Sequence, residues 1–145
     1  MIKKTVSEGE WLRTGSKTRH PPRNGWVVVR HVSAWDPPTD VYENDRGLIV
    51  QMEIAGMREE DFSITLDERT LMVEGVRTDP EPKRAYHQME IRYGEFGIEV
   101  CLPWAVSAEE VEAVYEAGFL RVLLPHPPER RVKAVAVGDQ RNCER

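Results

Sequence analysis

Leu48-Ile49-Val50-Gln51-Met52-Glu53-Ile54-Ala55 is the stretch on which the fold turns. Leu48, Val50, Met52 and Ile54 alternate with Ile49, Gln51, Glu53 and Ala55, so one side is apolar throughout and the other is mixed. Successive side chains of an extended chain point to opposite faces, and the pattern therefore predicts a strand with one well-buried face. The same alternation recurs outward from it. Phe62, Ile64 and Leu66 alternate with Ser63, Thr65 and Asp67, and Phe96, Ile98, Val100 and Leu102 with Glu95, Gly97, Glu99 and Cys101. Leu71, Val73 and Val76, then Leu120, Val122 and Leu124, extend the set. Turn chemistry separates the runs at Asp45-Arg46-Gly47, Ala55-Gly56, Asp67-Glu68-Arg69 and Tyr93-Gly94. Short strands at this spacing predict an all-β sandwich.

One stretch reads two ways. Ser107 with Glu110 three residues on has the form of a capping box, which would open a helix over residues 107–115. Val111, Ala113 and Tyr115 also alternate with Glu112, Val114 and Glu116. One helical turn followed by a strand, with Gly118 as the tight turn into the next, is the preferred reading. The ends differ from the middle. Residues 13–25 are rich in Arg, Lys, Gly, Pro and Asn, Pro37-Pro38 interrupts any regular element, and Pro125-His126-Pro127-Pro128-Glu129-Arg130-Arg131 predicts an extended linker. Residues 1–34 are expected as a flexible N-terminal arm, 35–126 as the sandwich domain and 127–145 as a C-terminal extension. No internal repeat is present.

A chain of 145 residues with 40% hydrophobic and 31% charged residues has the size and composition of one globular domain with tails. No apolar run approaches the roughly 20 residues that cross a bilayer, and the polar start lacks the apolar stretch of a secretory signal, so a soluble cytoplasmic protein is expected. Two cysteines, Cys101 and Cys143, are too few for a disulfide framework or a four-thiolate zinc site. The net charge of -5 conceals a division: residues 1–34 hold 7 basic and 2 acidic groups, 35–125 hold 8 and 20, and 126–145 hold 5 and 3. An acidic middle repels phosphates and argues against nucleic-acid binding there, while the basic ends fit either contacts between tails and domains or simply solvated faces.

In order and spacing, residues 35–125 resemble the α-crystallin domain of the small heat shock proteins. Asp40-Val41-Tyr42-Glu43, then Ile54-Ala55-Gly56-Met57 and Glu60-Asp61-Phe62, are similar to the family's opening strand, its Ala-Gly corner and the acidic pair that follows. Leu71-Met72-Val73-Glu74-Gly75 resembles the next strand. Glu90-Ile91-Arg92-Tyr93-Gly94-Glu95-Phe96 with Leu102-Pro103 resembles the long loop and the strand after it. Ala113-Val114-Tyr115-Glu116-Ala117-Gly118-Phe119-Leu120 is similar to the signature of Ala, three variable residues, commonly Asn, then Gly, an apolar residue and Leu. Ala117 stands in the Asn position, which is expected to matter little because the Gly remains. Ile98 stands where many members carry an Arg that makes a charge contact at the dimer interface, which implies a dimer held differently here.

The resemblance implies an immunoglobulin-like sandwich acting as an ATP-independent holdase, a homo-oligomer built from dimers that captures non-native client proteins. It implies a dimer contact in residues 79–93, including Tyr86, His87, Met89, Ile91 and Arg92. Alternation over residues 85–92 fits a strand added to a partner's sheet edge, or an ordinary surface hairpin. Val135 and Val137 resemble the family's tail motif. Two residues apart in an extended chain, they point the same way at a spacing of about 7 Å; Val132 with Ala134 is the other register. The receiving groove would lie between the strands holding Phe62, Ile64 and Leu66 and those holding Val111, Ala113 and Tyr115, whose apolar faces are in part core. Trp11, Trp26, Val27, Val28 and Val29 are large apolar groups in a basic arm, suited to meeting clients; residues 26–29 also fit a first strand of the sandwich. The rival of another class is a p23-like co-chaperone docking on a folded partner.

Enzymatic chemistry has little to rest on. His20, His31, His87 and His126 are scattered, and no H-E-x-x-H, C-x-x-C, Walker or G-x-G-x-x-G pattern occurs. Cys101 with His87 is the one conceivable nucleophile and base, and a packed thiol in an alternating strand is the simpler reading. No catalytic residue, metal or cofactor is expected, and no nucleic-acid or membrane partner.

Overall fold

The computed structural model describes residues 2–9, 25, 27–30 and 33–129. Its strands are β1 (Ile2–Lys4), β2 (Ser7–Glu8), β3 (Val27–Arg30), β4 (Thr39–Asn44), β5 (Gly47–Glu53), β6 (Phe62–Asp67), β7 (Thr70–Arg77), β8 (Gly94–Cys101), β9 (Glu112–Glu116) and β10 (Phe119–Pro125). They form two five-stranded sheets, in the orders β1-β9-β10-β5-β4 and β2-β6-β7-β8-β3. All pairs are antiparallel except the short β2–β6 pair. The all-β sandwich is what the alternation dictates: Leu48, Val50, Met52 and Ile54 from one sheet meet Ile64, Leu66, Leu71, Val73, Ile98 and Val100 from the other. None of the core residues is polar or charged.

The turns fall where the residues for them stand. Asn44 and Gly47 pair across Asp45-Arg46, and the Asn44 Oδ1 accepts hydrogen bonds from the amides of Arg46 at 2.9 Å and Gly47 at 3.2 Å. Asp67 pairs with Thr70 across Glu68-Arg69, with Glu68 at φ 48. Residues 107–115 take the turn-and-strand form: Ala108–Glu110 is a single 3-10 turn, Ser107 N donates to Glu110 Oε2 at 3.3 Å, and β9 follows.

Ala117 departs from the sequence expectation. In the β9–β10 hairpin Ala117 itself has φ 50 and Gly118 has φ 82, so both central residues are left-handed. Asn tolerates that region and Ala does not, at a penalty of about 1 kcal/mol. Losing the Asn therefore carries a conformational cost.

Within the segment expected as an N-terminal arm, residues 2–4, 7–8 and 27–30 pair with β9, β6 and β8, the last of these being the first-strand alternative for residues 26–29. An open sheet edge presents unpaired amides and carbonyls that any extended backbone can satisfy. Segments of two to four residues are too short to announce this through periodicity. Trp11 and Trp26, assigned to client contact, and the tail residues Val135 and Val137 lie outside the described residues.

Trp35 fixes the start of the sandwich. Its indole N–H donates to the Gly94 carbonyl at 2.9 Å, and its ring meets Phe96 edge-on at 5.4 Å. The Arg77 guanidinium lies over the same ring at 3.8 Å.

Candidate interaction surfaces

Three places on the sandwich combine backbone or apolar groups with access from outside. The first is the cleft between β6 and β9, which stand near the same end of the two sheets. Phe62 and Tyr115 meet across it edge-on at 5.2 Å. The Tyr115 hydroxyl reaches the carbonyls of Ile54 and Met57, both at 3.0 Å, and burial pushes its pKa up. Of the groove residues read from the sequence, Phe62, Ile64, Leu66, Ala113 and Tyr115 are buried in the core, and Val111 is half-buried against it. They form the floor of the cleft.

The chain's own N-terminal segment lies over that floor. β1 pairs with β9, Ile2 opposite Tyr115 and Lys4 opposite Ala113. The chain then crosses to β6, where Ser7 pairs with Thr65 and Glu8 with Leu66, and Gly9 N donates to Leu66 O at 3.2 Å. Between these pairings Val6 packs against the core. The Lys4 ammonium stands 4.8 Å over the Phe62 ring and donates to the Glu59 carbonyl. The sequence reading missed this segment. Its only signal is Ile2, Lys4 and Val6 at every second position.

The second place is the loop of residues 78–93. No strand forms in it, although alternation over residues 85–92 fits one, and none of the described strands pairs with it. Its base is clamped by Arg77, which donates to the carbonyls of Arg92 and Ala55. Its first half is tied by Asp79, which accepts from the Tyr86 hydroxyl at 2.7 Å and pairs with Lys83 at 3.1 Å. The Tyr86 hydrogen bond holds the Asp79 carboxyl below its ordinary pKa, and the Asp79 carboxylate raises that of Lys83. Tyr86, Met89 and Ile91 are 47%, 54% and 62% exposed, and His87 and Arg92 are exposed beside them.

The third place is the outer edge of β4, the last strand of its sheet, unpaired among the described residues and carrying exposed Tyr42. β3, holding Val27, Val28 and Val29, has the corresponding position in the other sheet, in line with the strand alternative for them.

Ile98, noted for standing in a common Arg position, is 1% exposed in the core between the sheets. It faces the sandwich interior, so in this protomer its lack of charge leaves no gap. Cys101 is buried, and burial together with the Glu99 charge raises its thiol pKa, the reverse of what an activated nucleophile needs. Among the described residues no three His, Cys, Asp or Glu side chains converge as a metal site. No helix there is long and apolar enough to cross a membrane.

Comparison with known proteins agrees with this architecture. Residues 40–138 match the Hsp20/alpha crystallin family model. Small heat shock protein C2 of Rickettsia felis is 27% identical over 103 residues, 70% of this chain and 67% of its own length. The 18.8 kDa class II heat shock protein of Ipomoea nil is 31% identical over 108 residues, 69% of this chain and 65% of that one. Among solved structures, heat shock protein 16.0 of Schizosaccharomyces pombe superposes with a TM-score of 0.57 at 27% identity, covering 63% of this chain and 86% of its own. The hspA of Xanthomonas axonopodis, at 23% identity, shares the fold with a TM-score of 0.59 over 65% of this chain and 96% of its own. These matches give no support to the p23-like alternative. With its sandwich and ordered motifs matched over residues 40–138, the chain belongs to the Hsp20/alpha crystallin family, the small heat shock proteins, and shares the general chaperone role of that family.

Proposed function

We propose that this chain is an ATP-independent holdase that assembles from dimers into larger homo-oligomers and captures partly unfolded clients. The observation that carries the reading is the exposed apolar row Tyr86, Met89 and Ile91 on a loop clamped only at its base and first half. Such side chains gain free energy by burial against another chain, and an extended segment beside an open edge such as that of β4 can be added to it as a strand. Tyr86, His87, Met89, Ile91 and Arg92 are the proposed dimer contact. Trp11 and Trp26 of the N-terminal segment, with Val27 to Val29 on the terminal strand β3, are the proposed client contacts, since no covalent step is needed where apolar surface meets apolar surface. The extension from residue 127 carries Val135 and Val137, proposed to join dimers by docking on a neighbour's cleft. The cytoplasm is the proposed compartment.

A heat-denaturing client mixed with the protein without nucleotide is expected to scatter less light as the chaperone is raised to a stoichiometric excess; unchanged scattering would end the holdase reading. For assembly, Val135→Ala combined with Val137→Ala is expected to reduce oligomers to dimers or smaller species in light-scattering mass measurements. Full size in the double variant would show that the tail is not the connector.

A further inference from the structure

The cleft proposed to receive a tail is occupied by residues 2–8 of the same chain. We infer that this strap is a replaceable occupant, that the tail of a second copy takes its place on the edges of β6 and β9, and that docking a tail therefore detaches the chain's N-terminal segment. The inference rests on the tail-docking reading above and adds the group that must leave.

Strap and tail offer the cleft the same chemistry in unequal strength. The strap turns Lys4 and Val6, two residues apart, towards the floor. The tail sequence Arg130-Arg131-Val132-Lys133-Ala134-Val135-Ala136-Val137 carries two valines at that spacing and basic residues before them. A valine in the Lys4 position buries apolar surface without keeping an ammonium at the mouth, while Lys4 is held by a ring face and one carbonyl. The strap is paired over three residues on one edge and two on the other, the profile of an element that opens locally. Acidic groups that stay when the strap leaves, Glu59 and Asp61 at one end of β6 and Asp67 and Glu68 at the other, suit a basic newcomer. A second copy is the fitting source. His126, where this chain's linker begins, is held at the β4–β5 turn through its amide and the Arg46 carbonyl, with Pro127-Pro128 following.

Locking the strap tests this. Lys3 and Val114 lie opposite each other in the β1–β9 register, with neither side chain in the core, so Lys3→Cys with Val114→Cys can form a cross-strand disulfide. The two changes are made in full-length protein carrying Cys143→Ser, Val135→Ala and Val137→Ala. A labelled peptide of residues 129–139 is then titrated by fluorescence anisotropy. The reduced protein is expected to bind it, the oxidised protein at least tenfold more weakly, and dithiothreitol to restore binding. Lys4→Val, which improves the strap, is expected to weaken binding severalfold without any disulfide. Equal affinity in both redox states would overturn the strap's role and leave tail docking standing. Absence of binding in every form, including protein with an unaltered strap, would overturn both.

Discussion

Ile98→Arg is expected to destabilise the domain by about 3–5 kcal/mol, the usual penalty for an unpaired charge in an apolar interior. Ile98 is 1% exposed among Val73, Val100 and the β5 side chains, and no polar or charged residue is buried among the described residues. A guanidinium there has no carboxylate to meet and must either lose its hydration or push the sheets apart. Ile98→Leu, which keeps the volume, should change stability by less than about 1.5 kcal/mol. Urea unfolding of the three proteins checks the pair. Were the Arg variant as stable as the Leu variant, the position would have an exit to solvent or a partner. The slot at Ile98 is lined by apolar side chains and suits a hydrocarbon.

Gly47→Ala is expected to cost about 3 kcal/mol. A Cβ on Gly47 would stand 2.2 Å from the Leu124 carbonyl oxygen and 2.8 Å from the Pro125 Cα, both backbone atoms of the paired strand β10, and φ is +154. Overpacking against backbone and a glycine-only conformation each contribute of order 1–3 kcal/mol. Gly56 supplies the control. It also has positive φ, at +80, yet nothing lies within 4 Å of its would-be Cβ, so Gly56→Ala should show conformational strain alone, about 1 kcal/mol. The prediction fails if thermal or urea unfolding ranks the two alanine variants equally or in reverse order.

What the sequence disclosed follows from which forces are local. Period-two alternation is written in consecutive residues, so β5, β6, β8 and β10 were legible with their inward faces, as were the turns at Asp45-Arg46-Gly47 and Glu68-Arg69. The strap was not, because β1 and β2 are held chiefly by backbone hydrogen bonds to distant edges, and backbone pairing leaves almost no mark on side-chain order. At Ala117 the expectation rested on the Gly alone, while the left-handed conformation extends to the residue before it, where the signature commonly has Asn. In the cleft, the named residues were the floor and its occupant came from the opposite end of the chain. The alternation of residues 85–92 states only that a strand could form there, and it does not state which edge would receive it.

The crossing of residues 2–8 from β9 to β6 also bears on how far copies can associate edge to edge. It covers the edges of β9 and β6 with the short strands β1 and β2, while β4 and β3 are the terminal strands on the other side among the described residues. A fibril grows because every added sheet presents a fresh edge behind it; edge strands of three and two residues, β1 and β2, give an incoming chain few backbone groups to pair with on that side. For the holdase proposed above, edge-to-edge pairing is then less favourable on the strap side than along the longer strands β4 and β3.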